Sequence, residues 1–255
     1  MSNPFGTSDM AAGYAFARPP VHPRIVEMLQ ASLQRKQPFL CALDVGCGAG
    51  ISTRALEGFA EQRIGLEPAA IMLRTAGEVA PGALFLAATA ESIPFRDNSV
   101  DLMTAAGSLN YADLNAFFPE AARVLGPDGV LAVYDFQAGS SLRDSAELDH
   151  WFAEFQRRYP PPANEARKLD PQILEPIASG FRLIAAQHFV TGVPLTRDFY
   201  IGYMLTETNV AAAIRSGVPS EEIRCWCAES LPPWQDKREV LFRGYYACFT
   251  PDART

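Results

Sequence analysis

Phe39 to Val45 is a short, nearly all-apolar run that passes directly into Gly46-Cys47-Gly48-Ala49-Gly50. So brief an apolar segment, ending in glycines, has the pattern of a strand covered on both faces of a parallel sheet. Three glycines in five residues let the backbone turn sharply and let a ligand lie against peptide N–H groups where the next helix begins. A strand, a glycine turn and a helix in that order commit the chain to an α/β architecture.

The rest of the sequence repeats the alternation. Ile25, Val26, Met28, Leu29 and Leu33 recur at spacings of three and four, which predicts a helix with one buried stripe over 24–33. Helices are expected over 51–59, 69–79 and 114–125, and strands over 63–66, 84–87, 100–104 and 129–134, the last after the turn Gly126-Pro127-Asp128-Gly129. Five strands joined by helical crossovers imply a doubly wound sheet. Further strands near 182–190 and 239–249 make it a mostly parallel, seven-stranded sheet with Rossmann-like winding. Between the fifth and sixth strands, residues 140–170 hold Trp151, Phe152, Phe155 and Tyr159 and then Pro160-Pro161-Pro162, read as a helical lid with a rigid exit. Helices are expected over 171–179, 196–216 and 220–229. The organisation expected is therefore an arm and cofactor-binding half over 1–139, the lid over 140–170, and the remainder of the sheet with substrate-side helices over 171–255.

Composition narrows the function. The 255 residues carry 22 Lys+Arg against 29 Asp+Glu, a formal charge of −7, which repels a phosphate backbone or an anionic bilayer. No nucleic-acid or membrane partner is expected, and no apolar run approaches the roughly 20 residues that span a bilayer. A cytoplasmic protein follows as the expectation; oligomeric state is not readable. Five cysteines, an odd number without a regular framework, read as reduced, buried apolar thiols. Cys225-Trp226-Cys227 lacks metal-ligand spacing and the three histidines are far apart, so no metal is expected.

The turn itself selects among nucleotide-like ligands. The dinucleotide fingerprint G-x-G-x-x-G needs glycine at position 51, where the chain has Ile51. Asp44, two residues before the first glycine, repels a pyrophosphate but suits an ammonium group. Glu67 ends the second strand 21 residues after Gly46, where a carboxylate accepts the hydroxyls of a ribose. Ribose plus ammonium without diphosphate describes S-adenosylmethionine.

At these residues the chain resembles the class I S-adenosylmethionine-dependent methyltransferases, in particular the small-molecule (type 11-like) branch with Asp-x-Gly-Cys-Gly-x-Gly. The likeness covers about residues 14–136. It includes Glu67-Pro68, an apolar Met72 near the adenine, the segment 88–95, the block 97–102 and Arg123-Val124-Leu125-Gly126-Pro127-Asp128-Gly129. The resemblance implies a Rossmann-like methyltransferase fold and a cofactor site made of Tyr14, Arg18, Asp44, Gly46, Cys47, Gly48, Glu67, Pro68, Met72, Thr89, Ala90, Glu91 and Ala106. Tyr14 and Arg18 belong to an arm similar to the Tyr-x-x-x-Arg-Pro entry that closes over the cofactor in such enzymes. Two departures stand out. Thr89 replaces the aspartate that binds the adenine amino group in many relatives, and Asn110-Tyr111 replaces a His-Trp pair, so no histidine base carries over.

The expected reaction is in-line methyl transfer to an oxygen, nitrogen or carbon nucleophile of a small, partly apolar acceptor. Alignment and water exclusion can supply much of that rate without a covalent step. No catalytic residue is assigned; Asn110, Tyr111, Tyr200 and Tyr203 are candidates for orienting the acceptor and Asp135 for accepting a proton. The aromatics of the lid and of the 196–216 segment read either as core or as the wall of an apolar chamber. The competing readings are a cofactor-binding protein or non-methylating enzyme on the same fold, and a nicotinamide-dependent oxidoreductase, which Asp44 and Ile51 oppose.

Overall fold

A computed structural model describes residues 17–162 and 166–252. Among these described residues eight strands form one sheet in the order β3-β2-β1-β4-β5-β8-β6, with β7 pairing β8 off that path. Strands β1 (Phe39–Val45), β2 (Ala60–Leu66), β3 (Leu84–Leu86), β4 (Val100–Ala106) and β5 (Leu125–Phe136) pair in parallel, while β8 (Arg238–Pro251) runs antiparallel to β5. This is the doubly wound, mostly parallel sheet that the alternation predicts. The seven expected strands are joined by an eighth of two residues, β6 (Ser141–Leu142), too short for any periodicity to announce. Strand β7 is Phe181–Leu195.

The chain divides into two compact units, each built from separated segments. The larger comprises His22–Phe136, Ala166–Phe189 and the described residues from Gly244 onward; the smaller comprises the described parts of Met1–Val21, Gln137–Glu165 and Val190–Arg243. The lid expected over 140–170 is thus not a unit by itself. Its helix α5 (Glu147–Arg158) falls in the smaller unit with α7 (Arg197–Met204), α8 (Thr208–Arg215) and α9 (Ser220–Ser230), and Trp151 of α5 meets Tyr200 of α7 and Trp226 of α9.

In the larger unit, β1 lies between β2 and β4, so the strand order reverses beside it, the position outside the carboxyl ends of the strands where open α/β sheets bind ligands. Leu43, Val45, Met103, Leu131 and Val133 bury one face of the sheet in a core shared with Phe117, Phe118 and Phe181. The first two of those phenylalanines lie on α4 (Leu114–Val124), whose N-cap Asp113 accepts the N–H of Asn115. Helix α6 (Pro171–Ile177) begins the same way, with Asp170 capping Ile173 and Pro171 in the first turn, where its missing N–H costs nothing. Helix α1 is Val21–Ser32.

Three expected helices are shorter or broken. Helix α2 (Ile51–Ala55) stops there because Gly58, at φ +76°, reverses the chain into β2, which therefore starts three residues before position 63. The segment 69–79 resolves into a 3-10 turn, Met72–Arg74, and a short α3, Ala76–Val79, separated at Thr75 (φ −102°). The segment 196–216 splits after Met204, where Thr206 Oγ1 donates to the carbonyl of Tyr203 and ends the first helix.

The smaller unit has an aromatic interior. Trp151 stacks on Phe155 at 5.3 Å and on Trp226 at 5.7 Å, and its Nε1 donates to Ser230 Oγ at 2.9 Å. Tyr159 meets Trp226 edge-on at 5.6 Å. These rings pack on one another, which makes them core of their unit. Among the five free cysteines, Cys47, Cys227 and Cys248 are buried as expected, whereas Cys225 is exposed on α9 because it points away from that interior. No helix among the described residues is long and apolar enough to cross a membrane, and none of their His, Cys, Asp or Glu side chains cluster as metal ligands.

Phe118 is wholly enclosed between α4 and the start of β7. Truncation to alanine is expected to destabilise the fold by about 3–5 kcal/mol, the scale for emptying a buried phenyl site. Urea denaturation of Phe118→Ala checks this; a midpoint equal to that of the unsubstituted chain would contradict the packing.

Candidate functional site

The turn that follows β1 is closed by the protein's own groups. Gly46, Gly48 and Gly50 have φ of +71°, +54° and +88°, in the left-handed region that glycine enters without a Cβ penalty. The N–H groups of Gly46 and Cys47 both donate to the carbonyl of Leu66, at 2.7 and 3.0 Å, and that of Gly50 to the carbonyl of Cys47 at 2.9 Å. The N–H of Gly48 donates to Glu67 Oε2 at 3.1 Å. Four amides of the turn are thus spoken for, one of them by a carboxylate. A diphosphate brought to the Gly48 amide would meet that negative charge. A side chain at position 46 is also barred, because a Cβ there would stand 2.2 Å from Ser108 Cβ.

Asp44 is arranged otherwise than expected. It is 0% exposed, and its oxygens accept three hydroxyls: Ser52 Oγ at 2.6 Å and Thr53 Oγ1 at 2.7 Å on Oδ2, and Thr104 Oγ1 at 2.8 Å on Oδ1. The carboxylate expected to face an ammonium group therefore faces helix α2 and strand β4, since an inward-pointing residue of a central strand finds its partners inside the sheet. Burial raises its pKa, with the three hydroxyl bonds acting in the opposite direction.

Glu67 lies at the carboxyl end of β2, partly buried. Its Oε1 accepts the N–H of Ala69 at 2.9 Å while Oε2 takes Gly48. The two amides fix the carboxylate plane and leave further lone pairs on both oxygens. Desolvation raises its pKa against those two hydrogen bonds, and the charge of Asp44 adds to the rise. Met72 is buried, with its methyl 3.6 Å from where a Cβ on Gly48 would stand; Pro68 is exposed. Cys47 turns its thiol inward, 2.7 Å from a Cβ built on Gly65, so only its backbone borders the turn. Burial pushes that thiol's pKa well up.

Thr89 and Ser92 form a bridge beyond β3, leaving Thr89 exposed and Ala90 partly so. Glu91 is occupied elsewhere: its Oε1 accepts the N–H of Asp113 at 2.8 Å, so it supports the start of α4. The loop after it is clamped by Arg123, which donates to the carbonyls of Ile93 and Phe95.

Strands β4 and β5 bring a second group together. Ala106 is partly buried at the end of β4, followed by Gly107 (φ +66°), whose Cβ would stand 3.0 Å from Asp135 Oδ1. Asn110 Nδ2 donates to Asp135 Oδ2 at 2.8 Å, and the N–H of Phe136 donates to Oδ1 at 2.8 Å. Burial raises the Asp135 pKa, those two bonds working against it. Ser108, which sequence reasoning passed over, donates to the carbonyl of Val45 at 2.6 Å and ties the two strand ends together. Its signal is a hydroxyl four residues past the strand expected over 100–104, too common a pattern to single out. Tyr111 is 52% exposed.

The structure does not bring every expected residue here. Tyr200 and Tyr203 lie inside the smaller unit, 0% and 1% exposed; the Tyr200 hydroxyl donates to the carbonyl of Gly139 at 2.7 Å. Three-residue spacing on α7 puts both on its buried face. Arg18, expected to close over a cofactor, pairs with Glu207 at 2.8 Å, donates to the carbonyl of Thr206 at 3.1 Å and lies over the Tyr203 ring. It anchors the arm within the smaller unit. Tyr14 lies outside the described residues.

Comparison with known proteins follows the same lines. Residues 43–133 match the family model of a methyltransferase domain. An uncharacterised methyltransferase of Mycobacterium tuberculosis is 32% identical over 133 residues, covering 52% of this chain and 52% of the relative. The chain therefore spans about half the length of the curated relatives it matches. A structure from Anaeromyxobacter dehalogenans, provisionally described as a type II methyltransferase, superposes with a TM-score of 0.62 at 23% identity, over 81% of this chain and 88% of the other. The geranyl diphosphate C-methyltransferase of Streptomyces coelicolor, solved with Mg²⁺, geranyl diphosphate and S-adenosylhomocysteine, gives 0.50 at 14%, over 89% and 76%. These solved structures share the fold.

Because the folded pKa of Asp135 lies above its unfolded value of about 3.9, the folded chain holds a proton that the unfolded chain has released. Stability from this group is present below that value and declines as pH rises to the folded pKa. The stability of the unsubstituted chain relative to Asp135→Asn, from urea titrations, is thus expected to be greater at pH 4 than at pH 7. A difference independent of pH would contradict it.

Proposed function

We infer, for a chain whose residues 43–133 form a class I methyltransferase domain of the small-molecule type, that it binds S-adenosylmethionine at the 46–50 turn and catalyses methyl transfer to an oxygen, nitrogen or carbon nucleophile of a small, partly apolar molecule. The observation that carries this reading is the bond from the Gly48 N–H to Glu67. It fills the anion position of the turn with a carboxylate, and it aims that carboxylate as an acceptor of ribose hydroxyls. A nicotinamide dinucleotide needs the opposite arrangement, free amides facing its diphosphate.

The residues present fit the cofactor. Glu67 would accept the ribose hydroxyls, Met72 beside Gly48 would supply an apolar wall, and Thr89 with the backbone at Ala90 would meet the base. When bound, S-adenosylmethionine supplies an electrophilic methyl group on a positively charged sulfur. The chain's task is then to orient and to exclude water, worth up to about 7–11 kcal/mol of barrier in well-aligned systems. Asn110 and Asp135, hydrogen-bonded at the ends of β4 and β5, are the acceptor-side pair in this reading. Asp135 keeps unused lone pairs through which it could take a proton from an O–H or N–H acceptor; a carbon nucleophile would need them less. The formal charge of −7 favours a small neutral or cationic acceptor over nucleic acid.

Isothermal titration with S-adenosylhomocysteine is expected to give one site per chain and no heat with NADH. Glu67→Ala should cost about 1–3 kcal/mol of that affinity, the scale for losing hydrogen bonds to a charged group. Heat with NADH and none with S-adenosylhomocysteine would reverse the assignment. Given binding, transfer of a labelled methyl group to a panel of small hydroxyl, amine and activated-carbon acceptors identifies the nucleophile; failure of every acceptor with cofactor binding intact would point to a non-methylating protein on this fold.

A further inference from the structure

We propose that Asp44 is a positioning residue for the cofactor site, acting through the turn and through Glu67, and that Ser52, Thr53 and Thr104 form one unit with it. The proposal rests on the S-adenosylmethionine reading above and deepens it: the acidic residue before the glycines shapes the ribose end of the site and makes no contact with the amino-acid end of the cofactor.

Three observations carry it. Asp44 is wholly enclosed, and so are Thr53 and Thr104, while Ser52 is 5% exposed; no ligand group reaches the carboxylate from solvent. Its hydroxyl donors come from two different elements. Thr104 stands beside Asp44 in the parallel register of β1 and β4, whereas Ser52 and Thr53 are the second and third residues of α2. The carboxylate therefore ties the strand before the turn to the helix after it, and both to the neighbouring strand. Five residues with three left-handed glycines would otherwise have wide conformational freedom. Fixing their two ends fixes the direction of the Gly48 N–H, which holds Glu67 Oε2. A chain of contacts thus runs from Thr104 through Asp44 and the turn to the carboxylate that would take the ribose.

No Lys, Arg or His side chain among the described residues forms an ion pair with Asp44. A carboxylate kept in the core on neutral donors alone needs each of them, because any donor lost leaves a buried charge less solvated. This makes the unit sensitive to single hydroxyls and gives it a distinctive signature.

Two ligands separate positioning from direct contact: S-adenosylhomocysteine, and 5′-methylthioadenosine, which has the same ribose and base but no amino-acid end. Their dissociation constants are to be measured by calorimetry for the unsubstituted chain, Thr104→Val, Thr104→Ser, Thr53→Ala and Asp44→Asn, with melting curves to verify folding. Thr104→Val keeps the shape and removes the hydroxyl; it is expected to weaken both ligands by the same factor, about tenfold for one hydrogen bond to a charged group. Thr104→Ser should restore both to within about twofold, since it returns the donor. Asp44→Asn should likewise leave the ratio of the two affinities unchanged. A loss confined to S-adenosylhomocysteine in Asp44→Asn would show the carboxylate meeting the amino-acid end and overturn the proposal. Unchanged affinities in both Thr104→Val and Thr53→Ala would also overturn it, and those variants stay informative if Asp44→Asn does not fold. Absence of binding of either ligand to the unsubstituted chain would instead refute the S-adenosyl reading on which the proposal stands.

Discussion

A carboxylate at the centre of a parallel sheet, held by three hydroxyls and no cation, is the constraint around which the site is organised. Moving a carboxylate from water into a protein interior costs several kcal/mol unless its lone pairs are met. Hydroxyls meet them without adding a positive charge. The carboxylate's field also bears on the surroundings: Asp44 raises the pKa of Glu67, of Cys47 and of Tyr134, each already raised by burial.

The sheet makes the arrangement possible. Parallel pairing of β1 with β4 sets Thr104 next to Asp44, and parallel pairing of β1 with β2 brings the Leu66 carbonyl under the amides of Gly46 and Cys47. Each contact joins residues far apart in sequence, yet each is fixed by one register. A one-residue slip would turn Asp44 to the opposite face and leave its donors behind. The glycines then serve a narrower purpose than ligand approach. Gly46 clears Ser108, and Gly65 clears both Cys47 and Phe85, whose atoms would lie 2.6–2.7 Å from a Cβ there.

Much of this was legible from residues alone, for identifiable reasons. The apolar run 39–45 with its glycines, and the spacing to Glu67, depend on local chemistry and on one strand-to-strand step, so the order of strands and the carboxylate at the end of β2 could both be read. Helix ends were read less well. Gly58, Thr75 and Thr206 act through backbone angle and a single side-chain bond, which hydrophobic periodicity does not register. Arg18, Glu91 and Tyr200 are bonded to protein groups that sequence reasoning did not foresee, and Tyr203 is enclosed with them, for a common reason. Each has a chemistry that suits a ligand equally well as a neighbouring protein group, and the partners that claim them, Glu207, Asp113 and Gly139 among them, lie 22 to 189 residues away or form a separate aromatic interior.

The sequence by itself determined the α/β winding, the sharp turn after the first strand and the absence of a dinucleotide fingerprint, because those follow from apolar pattern, glycine's conformational range and residue identity at fixed offsets. Tertiary structure alone decided where each polar side chain spends its hydrogen bonds. Asp44 could have faced a ligand or the core; the register of β1 against β4, and the two hydroxyls at the start of α2, turned it inward. That outcome depends on distances across the sheet, which no local pattern in the chain encodes.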